Sequence, residues 1–197
     1  MKQAIAAVAA VVAAALLVSS VDAAAPKPKL PKRWRGTAVY TYTYQGDDST
    51  AQQTVSASVV LSPVRARGWT NTYQISSGTI KYDQTQKTSD GCTQISSGSF
   101  PASKYLLTLQ LDPSRRPRAY FSGSEGAAPA PTSVTITCPD GTTSQSQSGG
   151  VENPFYMLVR HTAGFPVTSS LTKIAGSLRT AQSGGVWAVR FSLVGKK

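Results

Sequence analysis

A chain of 197 residues with 20 Lys and Arg against 9 Asp and Glu carries a net charge of +11. Its two cysteines and one histidine fall short of the four Cys/His ligands that a structural zinc site usually takes, so neither a metal nor another cofactor is indicated. Charge of that sign favours anionic partners such as phosphate-bearing envelope polymers, acidic glycans, nucleic acid or anionic lipid, and it serves solubility equally well.

The amino terminus reads as an export signal. Met1-Lys2 is a short basic start, Ala4 to Val18 is almost wholly apolar, and Val21-Asp22-Ala23 fits the small-x-small rule for signal peptidase. The expectation is a signal peptide over residues 1–23 and a periplasmic or secreted protein. The apolar stretch is shorter than the roughly 20 residues of a spanning helix, so the cleaved chain is not expected to span a membrane. Lys27, Lys29, Lys32, Arg33 and Arg35 pull the other way, because positive flanks tend to stay in the cytoplasm. Cleavage removes Lys2 and Asp22 together and leaves the net charge at +11. The remainder suits one domain of about 170 residues. Pro26, Pro28 and Pro31 alternate with lysines, which favours extended polyproline conformation and excludes helix. Residues 24–35 therefore read as a flexible arm, with Trp34 set among its basic residues.

From Gly36 onward the dominant period is two. Ala38, Tyr40, Tyr42 and Tyr44 share one face, opposite Thr37, Val39, Thr41 and Thr43. After the turn cluster Gly46-Asp47-Asp48-Ser49, Val55, Ala57, Val59 and Leu61 alternate with small polar residues, which predicts a β-hairpin. The tyrosine stripe is expected to be buried; exposed, it would form a platform that stacks on sugar rings or bases.

Trp69, Tyr73 and Ile75 share a face, and Ile80 and Tyr82 follow Gly78. Tyr105, Leu107, Leu109 and Leu111 form a clean strand that ends at Asp112-Pro113-Ser114, and Arg118 to Ser122 resumes the pattern. Val134, Ile136 and Cys138 share a face before the turn Pro139-Asp140-Gly141. Phe155 to Val159 is a short apolar run. Leu171, Ile174, Ala175 and Leu178 fit helix spacing, weakened by Gly176, and a strand is an equal reading. Trp187, Val189, Phe191 and Leu193 alternate to the end. The segment Gln74-Ile75-Ser76-Ser77-Gly78 recurs at Gln94 to Gly98, too briefly to make a repeat architecture. The prediction is one antiparallel all-β domain over residues 36–197, a sandwich or a barrel of about ten short strands. In an exported chain Cys92 and Cys138 are expected to form one partly buried disulfide. It closes a loop of about 47 residues, worth roughly 4 kcal/mol in the chain-entropy picture.

No catalytic constellation stands out. The acidic residues sit mostly beside Gly or Pro, where turns favour them. His161 reads as a solvated polar residue. Ser170-Leu171-Thr172-Lys173 matches S-x-x-K without the companion S-D-N and K-T-G elements. Two basic clusters are the candidate binding residues: Lys27, Lys29, Lys32, Arg33 and Arg35 in the arm, and Arg115, Arg116 and Arg118 in a turn. Either could equally be a solvated segment. The functional expectation is a non-catalytic exported protein that binds an anionic glycan, a phospholipid or an envelope polymer, with no specific nucleic-acid motif. The alternatives are a secreted inhibitor or assembly subunit that binds a protein partner, and a hydrolase.

Overall fold

The computed structural model describes residues 29–64, 71–114, 116–123, 132–148 and 153–197. The expected signal peptide lies outside them, as do Lys27, Trp69 and Arg115. Among the described residues eleven strands form one sheet, and every pairing between them is antiparallel. The first hairpin follows the period-two pattern. In β1 (Arg33–Gln45) Trp34, Ala38 and Tyr40 point into the core, and in β2 (Thr50–Pro63) Val55, Ala57, Val59 and Leu61 do the same. The tyrosine stripe is graded: Tyr40 is buried, and Tyr42 and Tyr44 are half-buried.

β3 (Thr72–Lys87) explains why its inward residues change parity, from Tyr73 to Ile80 and Tyr82. Val60 pairs with Ser77 and Leu61 with Ile75, so Ser76 is an extra residue in a β-bulge. Ser76 Oγ donates to the Val60 carbonyl at 3.2 Å. Gly78 follows at a φ of 143°, with its backbone so close to β2 that a Cβ would lie 2.1 Å from the Ser58 carbonyl oxygen. The position requires glycine. The echo at Gly98 has another cause: a Cβ there would meet the Tyr82 ring and hydroxyl.

β3 divides its partners. Thr79 to Lys87 pairs with β4 (Thr93–Pro101), whereas Thr72 to Gln74 pairs with β5 (Leu107–Asp112). Between these, Ala102–Lys104 forms a single 3-10 turn that ends at buried Tyr105. β5 pairs with β6 (Arg118–Gly123), and β6 with the two-residue β9 (Phe165–Pro166). The next residue, Val167, bridges Ile174 in β10 (Lys173–Gln182). β10 pairs with β11 (Gly185–Lys196), and β11 with β1. The pairings therefore run from β10 through β11, β1, β2, β3, β5, β6 and β9 back to β10. Their inward residues form one core, which includes Phe121, Phe165, Phe191 and Leu109. The run from Phe155 to Val159 belongs to a five-residue helix, α1 (Tyr156–Arg160), which packs Leu158 and the preceding Phe155 against that core. The segment with helix spacing, from Ile174 to Leu178, lies within β10.

β4 carries a side wing. It pairs with β7 (Thr132–Thr137), and β7 with β8 (Thr143–Ser148). Thr93 opposes Thr137, so the flanking Cys92 and Cys138 meet and form the expected disulfide. Cys92 is buried and Cys138 half-buried, so the bridge is partly covered.

The arm joins the domain earlier than its prolines suggest. Leu30 packs against the core, Pro31 is buried, the Pro31 carbonyl accepts the Tyr73 hydroxyl at 2.8 Å, and Lys32 N–H reaches the Lys196 carbonyl at 2.7 Å. Arg33 and Arg35 lie inside β1. Removal of residues 1–28 should leave the melting temperature unchanged, whereas removal of 1–33 should lower it by several degrees, since those contacts are worth about 1–3 kcal/mol. Thermal denaturation of the two truncations checks this.

Burial pushes the Tyr73 hydroxyl above its ordinary pKa of 10.0, and the nearby Trp34 indole pulls it part of the way back. The two rings meet edge to face with centroids 6.3 Å apart, and the Trp34 Nε1–H makes no hydrogen bond of good geometry among the described residues. A raised folded-state value means that the protonated phenol stabilises the fold below the unfolded value, and this contribution is lost as pH rises through the folded one. Stability should fall above about pH 10, and Tyr73→Phe should lower stability at neutral pH by about 1 kcal/mol while reducing that alkaline loss. Urea titrations at pH 7 and pH 11 give both numbers.

Reduction of the disulfide should act locally. Amide exchange should speed up across β7 and β8, which hang on β4, while β1, β2 and β11 keep their protection. Exchange mass spectrometry with and without reductant reads the difference.

Candidate anion-binding face and groove

The outward residues of five adjacent strands form a face that the linear sequence does not show. β10 contributes Lys173 and Arg179, and β11 contributes Arg190 and Lys196. β1 adds Arg33 and Arg35, and β3 adds Lys81 and Lys87; all eight are exposed. β2 lies among them with neither sign of charge, and the one carboxylate of the five strands is Asp83.

Register aligns these cations in cross-strand rows. One row runs Lys173, Val194, Arg35, Val60, Ser77. A second runs Ser177, Arg190, Val39, Ser56, Lys81. Strands lie about 4.8 Å apart, so the cations of a row are separated by about 10–15 Å. Arg33 stands directly opposite Lys196, an arrangement that like charges make unfavourable. Between the rows the side chains are small. Thr37, Ser56, Ser58 and Thr79 surround a shallow trough of about 230 Å³ with Lys81 at its margin. Val39 and the alanines of β1 and β2 complete a lining that is mostly apolar, with Lys81 as its one charged residue.

The expected basic residues separate in space. Arg33 and Arg35 belong to this face, and Lys29 and Lys32 are exposed just before it. Arg116 is exposed in the β5–β6 turn. Arg118 is committed locally: its Nη1 donates to the carbonyls of Ala163 at 2.6 Å and Gly164 at 3.1 Å, which ties the segment after α1 to β6. Lys173, Arg179, Arg190, Lys196, Lys81 and Lys87 were missed because their grouping depends on pairing between distant parts of the chain. Period-two placement on the polar side of each strand was the available signal.

A groove of about 700 Å³ opens beside α1 at the margin of this face. Met157, Leu178 and Trp187 form its apolar wall, and Tyr42 stacks on Trp187 with ring centroids 5.0 Å apart. Arg160, His161 and Arg179 stand at its lips. Arg160 donates to the Tyr156 hydroxyl at 2.5 Å, and its guanidinium carbon lies 5.4 Å from the centre of that ring. His161 is half-buried, with its ring 4.7 Å from that of Phe165. The lining includes neither serine nor carboxylate. Ser170 lies elsewhere, in the turn before β10, where its hydroxyl is 2.7 Å from that of Thr172.

Among the described residues no three His, Cys, Asp or Glu side chains gather where a metal ion could be held. Among them, too, no helix is long and apolar enough to cross a membrane. No protein-family model, no curated protein and no solved structure matches the chain.

Proposed function

We propose that the protein binds an anionic polymer on the outer face of β10, β11, β1, β2 and β3, and that it does so without catalysis, outside the cytoplasm. The observation that carries this reading is the charge census of that face, eight exposed cations against Asp83. The opposition of Arg33 and Lys196 is relieved when an anion lies between them. Cations about 10–15 Å apart within a row suit a ligand with repeating charge better than a single small anion. Arginine forks grip phosphate or carboxylate in two-point contact. Such a surface reads charge density and spacing rather than one chemical sequence, as expected of a ligand that is a polymer of the envelope or its surroundings.

The test uses inorganic polyphosphate and a neutral dextran, titrated against the purified protein at several salt concentrations. The logarithm of polyphosphate affinity should fall linearly with log salt, by a slope of roughly 0.7 for each phosphate neutralised, as counterion release requires. Arg35→Gln and Arg190→Gln should each flatten that slope by close to one contact, and Arg116→Gln, on the β5–β6 turn, should leave it unchanged. Equal retention of neutral dextran, or affinity indifferent to salt, would refute the proposal.

A further inference from the structure

We infer that the free edge of β10 accepts an extended acidic peptide as an added strand, seated in the groove between β10 and α1. β10 pairs with β11 over its whole length, from Lys173 to Gln182. On its other side the contacts stop early: Val167 bridges Ile174, and Thr168 N–H reaches the Lys173 carbonyl at 3.1 Å. From Ala175 to Gln182 that side has no ladder partner among the described residues. Half of the N–H and C=O groups there point away from β11. Sheet edges of this kind are templates for another strand, and folds that avoid such pairing place proline, charged side chains or a bulge on them. Ala175 to Gln182 has no proline and no bulge, and its one charge, Arg179, selects for an acidic strand rather than against every strand.

The groove supplies the rest of a peptide site. Leu178, Arg179 and Thr180 are consecutive and face opposite sides of β10, yet all three line the groove. It therefore starts at the strand's edge and runs in beneath the inner face, as far as Trp187 of β11 and Tyr40 of β1. A strand laid there directs alternate side chains inward, toward the wall of Met157, Leu178 and Trp187. The residues between them face Arg179 at the lip, to which a carboxylate is complementary. A small amphiphile would leave the backbone groups of β10 to water. A second copy of this chain would bring two Arg179 residues and two charges of +11 together. An acidic peptide satisfies both the backbone and the charge. This site does not rest on the polymer reading, and Arg35 and Arg190 take no part in it.

The probe is an eight-residue capped peptide that alternates Glu and Val. Two controls go with it, the Gln and Val counterpart and a version N-methylated along one edge. Amide exchange measured on the whole protein should slow at alternate residues between Leu178 and Gln182, and Trp187 emission should shift with the same concentration dependence. N-methylation should abolish both effects. The Gln and Val peptide, and the exposed-site variant Arg179→Glu, should each weaken binding by about tenfold. Leu178→Lys, checked for folding by circular dichroism, should remove the fluorescence change. Three results would each overturn the inference: no slowing on β10 with millimolar peptide, equal binding of the N-methylated form, or protection confined to other strands. Polyphosphate affinity of Leu178→Lys is measured alongside, so failure here is separable from failure of the charged face.

Discussion

The return of the strand pairings to β10 holds the molecule together, and it rests on very little backbone. Seven of the eight junctions in the circuit are strand ladders; the last is the bridge from Val167 to Ile174, with one further hydrogen bond from Thr168. Side chains carry that seam. Phe165 meets Phe191 with ring centroids 4.7 Å apart and Phe121 at 5.7 Å, both edge-on, which ties β9 to β11 and β6. Gly176 leaves room for this cluster, since a Cβ there would lie 2.8 Å from the Phe165 ring. Leu171 sits in the turn before β10 at a φ of 55°, a costly region for a branched side chain, yet it is buried. Burial of a leucine is worth about 2 kcal/mol, enough to offset that strain. With the seam held in this way the inward faces share one core, and the outward residues of β10, β11 and β1 are brought side by side.

The distribution of charge follows from the division of labour between turns and faces. Several acids are used where the chain reverses. Asp90 accepts from the Thr88 hydroxyl and from the Cys92 N–H at 3.2 Å, and Asp140 accepts the Thr142 hydroxyl at 2.6 Å and its N–H at 2.9 Å. These bonds favour the ionised form and hold both carboxyls below the usual aspartate range. Asp112 accepts the Ser114 N–H at 3.0 Å in the β5–β6 turn. Carboxylates placed at turns are set apart from the mid-strand cations Lys81, Arg179 and Arg190, whereas Arg33, Lys87, Lys173 and Lys196 stand at strand ends. The face of β10, β11 and β1 therefore keeps its positive charge although the chain contains nine acidic residues.

What was legible in the sequence is what depends on neighbours along the chain. Alternation identified β1, β2, β5 and β11, because burial of one face imposes a period of two. Cys92 and Cys138 could be paired because the sequence offers no third cysteine. Three features depended on distant contacts and were not legible. Ser76 leaves no signal as a bulge, since its effect is to change the parity of residues on either side. Phe155 to Val159 is too short for periodicity to separate helix from strand, and the tertiary contacts of Phe155 and Leu158 decide it. Pro31 looks like part of a free arm by composition, but its carbonyl is the acceptor that buried Tyr73 needs. The charged face failed to appear for the same reason. Arg35 and Lys173 are two strands apart only because β11 lies between β1 and β10.

The two open edges of the sheet differ in a way that bears on what each can do. β8 runs Thr143, Ser144, Gln145, Ser146 along the outside of the wing, exposed, uncharged and without an apolar wall beside it. A strand added there would gain backbone hydrogen bonds and little else, and each such bond is nearly balanced by the water it replaces. β10 has the same unpaired backbone beyond Ala175, but α1 stands across from it and Trp187 and Leu178 floor the space between. There the backbone pairing is joined by apolar burial and by the Arg179 charge, so the terms reinforce one another. α1 is held in that position by Phe155 and Leu158 in the core, and Arg118 grips the carbonyls of Ala163 and Gly164 just after it. The short ninth strand is thus what makes the groove. A longer β9 would pair the edge of β10 and close the space that α1 now borders.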